Sequence, residues 1–267
     1  MKFKRIIFSI LLLILTISLY GAEKLRIGDA TGGAPMEAIR LTALDLAKLF
    51  PDAEITIVRM KADKALAELQ AGNLDIVFAE HRFIPASFNG VRKNWAAEAL
   101  AFYVDAVNPL RELSLKELRT IWQAGNPVWR PYNGMPADIH RIAVSQGNDL
   151  RLEEIFIGTS DKSSKNIFRT SSLETAFLYL SPAALICGSY RPERATALIA
   201  LKIDGVSPTF SSVAGGKYPL SLRYELLTSA GNGSDLCKKF IQKLDEYKNY
   251  QAMLNSNLLP PVSTAGK

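Results

Sequence analysis

Between Tyr103 and Trp129 the chain reads Y-V-D-A-V-N-P-L-R-E-L-S-L-K-E-L-R-T-I-W-Q-A-G-N-P-V-W. The apolar run from Ala99 to Val107 that leads into it is a long strand. Asn108-Pro109 ends that strand, because proline fixes its own φ and restricts the residue before it. Ser114 and Glu117 then stand at S-x-x-E spacing. The serine hydroxyl can accept the amide of the third helical residue while the glutamate reaches back to the serine amide, so a helix is expected from Ser114 to Gln123.

Upstream, Leu25 to Gly28 reads as a short strand followed by the glycine-rich turn Asp29-Ala30-Thr31-Gly32-Gly33. Ala34-Pro35 opens a helix to about Phe50, with proline at an early helical position. Ile55 to Arg59 alternates as a strand, Asp63 to Gln70 is a helix, and Leu74 to Ala79 is a buried strand. This β-α-β-α-β order is that of a parallel sheet covered by helices. Downstream, strands are expected at Ile139 to Val144, Ala184 to Cys187, Ala197 to Ile203 and Arg223 to Leu227. Helices are expected to about Ile157, over Leu173 to Leu180, and over Ser234 to Tyr247, the last with Leu236, Phe240, Ile241 and Leu244 on one face. The tail after Pro261 is expected to fray.

The chain has 267 residues, 48% of them hydrophobic and 22% charged, enough apolar material for two modest lobes. Its start is basic, from Met1 to Arg5, then apolar from Ile6 to Leu19, then small at Gly21-Ala22. That order describes a secretory signal peptide over residues 1–22, too short in its apolar part for an ordinary membrane span. No cysteine stands at the cleavage point, so the expectation is a periplasmic or secreted protein, not a lipoprotein. Leaving out Lys2, Lys4 and Arg5 turns 32 basic against 26 acidic residues into 29 against 26, too mild a balance for nucleic acid. Cys187 and Cys237 could pair in an oxidising compartment or stand as two buried thiols, and no metal-type spacing occurs.

The segment Tyr103 to Trp129 resembles the phosphate-type solute-binding proteins of ABC transport. There a strand ending in Asn-Pro leads to a Leu-Ser/Thr-x-x-x-Leu helix, then an aromatic, a glycine and a tryptophan. Asn108, Pro109, Leu113, Ser114, Leu118, Ile121, Trp122, Gly125 and Trp129 fall at those positions. Ala30 to Pro35 resembles the family's Ser-Thr-x-x-Ala-Pro, Leu74-Asp75-Ile76 its Leu-Asp-Ile/Phe strand, and Tyr218 to Ser221 its Tyr-Pro-Leu-Ser re-entry segment. The resemblance spans about residues 24–261 and implies the type II periplasmic binding protein fold: two α/β lobes, a two-crossing hinge and a ligand cleft between them. Residues 23–103 plus 218–267 would form lobe 1 and residues 104–217 lobe 2.

The same resemblance implies three ligand loops that grip an oxyanion with helix N-termini and hydroxyls. The first contains Ala30, Thr31 and Gly32, with alanine where the family has serine. The second contains Glu80, His81 and Arg82, where a carboxylate would repel an oxyanion unless paired. The third contains Gly147, Asn148, Asp149 and Arg151, without the family's hydroxyl pair. The family's upstream arginine falls on Ile142 or Val144, leaving Arg141 and Arg151 as replacements. Asp29 reads as a turn or cap residue.

Two functions from different classes follow. One is an exported solute-binding protein taking a small anion such as phosphate, partnered by an ABC permease or a periplasmic sensor, with no cofactor. The other is a non-binding relative that docks a partner, marked by an ion pair of Glu80 with Arg82 or Arg151 in the anion position. An enzyme is not expected: the two histidines sit in no motif, and no nucleophile–base spacing is present.

Overall fold

Strand β4 (Gly90–Asp105) is buried without interruption from Trp95 to Val104. Burial of successive residues, instead of alternate ones, requires cover on both faces of the sheet. In the computed structural model, which describes residues 22–32, 35–144, 147–158, 166–191, 198–231, 233–246 and 258–260, β4 begins at Gly90, well ahead of the expected Ala99. Up to Ala99 it pairs antiparallel with β11 (Ser221–Ser229), and from Leu100 with β8 (Ala184–Ser189). One strand therefore runs through two half-sheets.

In the first half, β1 (Lys24–Ala30) lies parallel to β2 (Glu54–Arg59) on one side and β3 (Ile76–Glu80) on the other, and β11 closes antiparallel on β3. Helices α1 (Met36–Leu49), α2 (Ala62–Gln70) and α7 (Asp235–Leu244) cover it. In the second half, β6 (His140–Val144) lies parallel to β7 (Phe168–Thr170) and β8. Helices α3 (Leu115–Gln123), α4 (Gly147–Phe156) and α5 (Leu173–Phe177) belong to this half. A short helix, α6 (Phe210–Ala214), precedes the return into β11. These are the two α/β lobes of the expected fold, joined by the continuous sheet order β2-β1-β3-β11-β4-β8-β6-β7.

Aromatic packing ties each lobe to β4. Phe78 meets Trp95 at 4.5 Å and Phe240 of α7 at 6.3 Å in lobe 1, while Phe102 meets Trp122 of α3 edge-on at 5.2 Å in lobe 2. Cys187 on β8 and Cys237 on α7 are two buried free thiols, one in each lobe. Burial raises both pKa values, that of Cys237 to about 11.

Two expectations need adjusting. The strand expected from Ala197 to Ile203 is two strands: β9 (Leu198–Ala200) pairs with β4, and β10 (Lys202–Ile203) with β5 (Glu112–Leu113). Leu201, fully buried between them, marks the change of partner. The helix expected to reach Leu180 ends at Phe177, after which Leu178 is 82% exposed and has no core to pack on. Strand β7 and helix α6, too short for a periodic signal, were not read from the sequence. Residues 1–21, the tail after Pro260 and Tyr247 lie outside the described residues.

The start of α3 is as expected: the Ser114 hydroxyl accepts from the Glu117 amide at 3.1 Å, and Glu117 Oε2 accepts from the Ser114 amide at 2.7 Å. Ser114→Ala will therefore lower the unfolding free energy by about 1 kcal/mol. Urea denaturation followed by circular dichroism measures it; a change within experimental error would show the cap to be dispensable.

Candidate functional site

Strands β1 and β3 run parallel, with Ala30 opposite Ala79, so their C-terminal ends open at the same edge of lobe 1. Loops beyond the carboxyl ends of parallel strands are where α/β sheets bind ligands. Across from them, α4 packs on β8 and β4 of lobe 2. Two of the three expected loops and the helix of the third thus converge on one interlobe seam.

Arg151 of α4 crosses that seam. Its Nη1 donates to Glu98 Oε1 and to the Tyr224 hydroxyl, each at 3.0 Å, and its Nη2 donates to the Thr31 carbonyl at 3.0 Å. Nη2 also pairs with Glu80 Oε1. The four partners come from the β1 end, the β3 end, β4 and β11, all in lobe 1. Glu80 and Glu98 are 3% and 0% exposed, so both carboxylates depend on protein partners. Arg82 supplies a second cation, its Nε 2.8 Å from Glu80 Oε2. The cluster balances two carboxylates with two guanidiniums.

Burial works to lower the Arg151 pKa, but Tyr224, Glu80 and Glu98 outweigh it and the net shift is upward. Burial and the adjacent Glu98 push the Tyr224 phenol far above its ordinary value, so it keeps its proton and donates to Glu98. Gly32 has φ +79 and makes room for the guanidinium: a Cβ there would stand 3.0 Å from Arg151 Nε. Glycine is needed on both counts.

The other expected residues are placed as follows. The Thr31 hydroxyl, buried, donates to Asp29 Oδ1 at 2.5 Å, and the Thr31 amide donates to the same oxygen at 3.0 Å. Asp29 is thus a turn residue, also paired with Arg59 Nε at 3.3 Å. Ala30 is buried at the end of β1. His81 Nδ1 pairs with Glu225, which Arg92 Nε holds at 2.7 Å. Burial works to raise the Glu225 pKa, yet Arg92 and His81 outweigh it and the net shift is downward. Asp149 accepts from the Ser189 amide, binding α4 to β8, and burial raises its pKa. Gly147 and Asn148 open α4 as expected, but the Asn148 side chain lies outside the described residues. Arg141 does not face the seam: it donates to the carbonyls of Ile121, Trp122 and Gly125, closing the C-terminus of α3. Of the two candidate replacement arginines, Arg151 is the one at the seam.

Glu98, Tyr224 and Arg223 were missed. A lone acidic residue inside the apolar run Trp95 to Val104 was the available signal for Glu98. At the open side of the seam is a cavity of about 210 Å³ lined by Arg82, Phe156, Ser221 and Arg223 among others. The Arg223 side chain has no hydrogen-bond or ion-pair partner among the described residues. Among the described residues no group of histidine, cysteine, aspartate and glutamate is arranged to hold a metal ion.

Comparison with solved structures gives the same fold. The crystal structure of an ABC-type phosphate transport receptor from Vibrio cholerae superposes with a TM-score of 0.65 at 16% identity, covering 90% of this chain and 100% of that one. PstS from Borrelia burgdorferi superposes with a TM-score of 0.69 at 14% identity, with the same coverage of 90% and 100%. No curated protein matches the chain by sequence. The family model described as a PBP superfamily domain matches residues 23–243, and the chain belongs to that family.

Proposed function

We propose that the protein is an exported solute-binding protein that holds a small, phosphate-like anion at the interlobe seam and delivers it to an ABC permease or a periplasmic sensor. The observation that carries this reading is Arg223, a cation without a described partner, which lines the 210 Å³ cavity together with Arg82. Ser221 stands in the same lining, its hydroxyl donating to the Tyr218 carbonyl at 2.7 Å. A paired or free guanidinium at such a place draws an oxyanion through charge-assisted hydrogen bonds. The phosphate transport named for the Vibrio cholerae structure, and the basic, apolar, small order of residues 1–22, support it. Its lobes are proposed as residues 23–103 plus 218–267 and residues 104–217. The reading is of a binding protein without a cofactor, not of an enzyme.

Binding is expected to be weak, because Arg151 and Thr31 spend donors on Asp29, Glu80 and Glu98, and each donor lost to an oxyanion costs about 1–3 kcal/mol. Isothermal titration with phosphate, sulfate and molybdate should show micromolar to millimolar binding. Arg223→Gln should weaken it by about tenfold or more, the equivalent of 1.4 kcal/mol. Equal affinity in the native protein and Arg223→Gln would remove the anion from this cavity. The ion pair of Arg151 with Glu80 favours a second reading, in which the seam stays shut and the protein docks a partner. That reading stands if no solute gives heat with the native protein or with Arg151→Ala.

A further inference from the structure

Lobe 1 contains a small hydrophobic cluster separate from the main core, which includes Leu66, Leu69, Leu74, Val77, Ile84 and Phe88, with Met60 and Ala62 packed against it. Most of it is covered by α2 and by the turn after β3. One side is open. There a cavity of about 950 Å³ lies between α2 and residues 83–88, walled by Met60, Ala62, Leu66, Phe83, Pro85 and Phe88. Ligand pockets for small molecules measure about 300–1,000 Å³ and are mainly apolar with a few polar groups at the edge. Phe83 is 50% exposed, with the Arg82 guanidinium 4.6 Å from its ring centre. Phe83 extends the apolar wall that Leu66 and Phe88 begin.

The charges at the rim narrow the ligand class. Arg59 is paired with Asp29, and Glu80 with Arg82 and Arg151, so those groups are already compensated. Lys61 and Asp63 remain, neither with a partner among the described residues. Asp63 sits in the first turn of α2, where the helix dipole compensates a carboxylate. Lys61 precedes that helix and has no such compensation. A bound molecule would place an anionic group at Lys61 and an apolar body against Leu66, Phe83 and Phe88.

We infer that this cavity is a second binding site, distinct from the anion seam, for an amphipathic small molecule: an acyl or aryl group bearing one anionic head. The site does not depend on the anion reading, although Ala30, Gly32 and Glu80 border both places.

Fluorescence titration of the full protein with anilinonaphthalene sulfonate tests it, followed by competition with dodecanoate, dodecanol, dodecyltrimethylammonium and phosphate. One saturable dye site is expected, displaced by dodecanoate but not by phosphate. Ala67 is exposed on α2 and lines the cavity, so Ala67→Trp should obstruct it and weaken dye binding while the thermal unfolding midpoint stays unchanged. Lys61→Glu should weaken dodecanoate by about fivefold, the upper end for an exposed ion pair, and leave dodecanol unaffected. Absence of saturable binding, or undiminished binding by Ala67→Trp, would overturn the site. Equal competition by the cationic and anionic chains would overturn the head-group assignment.

Discussion

Replacing Arg151 by methionine will destabilise the protein by about 3–5 kcal/mol, the range for removing one partner from a buried ion pair. The side chain is 20% exposed and its partners Glu80 and Glu98 are 4% and 0% exposed, so solvent does little to screen the pair. Methionine fills comparable space but leaves both carboxylates facing an apolar group. The loss should appear as a lower urea midpoint. It should also loosen the lobes, because the guanidinium bonds Thr31, Glu80, Glu98 and Tyr224 across the seam, and a larger radius of gyration in X-ray scattering would report that. Arg151→Lys should recover only part of the loss, since a point-like ammonium cannot reproduce a planar fork addressing several acceptors. The triple variant Arg151→Met, Glu80→Gln, Glu98→Gln should recover most of it, because neutral amides cost far less to bury than carboxylates. A single variant within about 0.5 kcal/mol of the native protein, the spread of ordinary surface substitutions, would show that these residues are not a buried network.

The lobed fold was legible because the residues that reveal it do local, obligatory work. The Asn108 amide donates to the Pro182 carbonyl and its oxygen accepts from the Leu110 amide, each at 2.9 Å. Trp129 is fully buried and donates to the Ala183 carbonyl at 3.0 Å. With the Ser114–Glu117 box, these contacts fix the turn and helix that start lobe 2, and they leave a mark in spacing and residue type. The seam was legible only in part. Glu80 and Arg151 could be named as a pair because both fall in expected ligand loops. Glu98 stands one residue ahead of the strand expected from Ala99, Tyr224 sits inside a strand read for its apolar pattern, and Arg223 is one position from Tyr224 on β11. What makes them a site is the approach of β4 and β11 to a helix from the other lobe, and no one-dimensional period encodes that. Thr31 shows the converse: its residue type matched, but its hydroxyl is turned to Asp29.

A second buried network lies wholly within lobe 2, and Glu153→Leu will test it with a loss of about 3–5 kcal/mol. Glu153 is 2% exposed on α4 and accepts from three donors: Trp122 Nε1 at 2.9 Å, Arg169 Nη1 at 2.8 Å and Arg169 Nη2 at 2.9 Å. The two parallel bonds to Arg169 form a bidentate pair, the strongest geometry a guanidinium offers a carboxylate. Hydrogen bonding to Glu153 is the main cause of the upward shift in the Arg169 pKa. Leucine would strand the guanidinium and leave the buried indole N–H of Trp122 unpaired, in the helix whose start the Ser114 cap defines. Glu153→Gln keeps the volume and one carbonyl acceptor, so it should cost less than leucine but more than a surface change. The contrast with the seam is the informative part: losing Glu153 should lower the urea midpoint without altering the radius of gyration, since no contact across the lobes is cut. Expansion in Glu153→Leu equal to that in Arg151→Met would mean that lobe 2 packing, and not the arginine at the seam, holds the two lobes together.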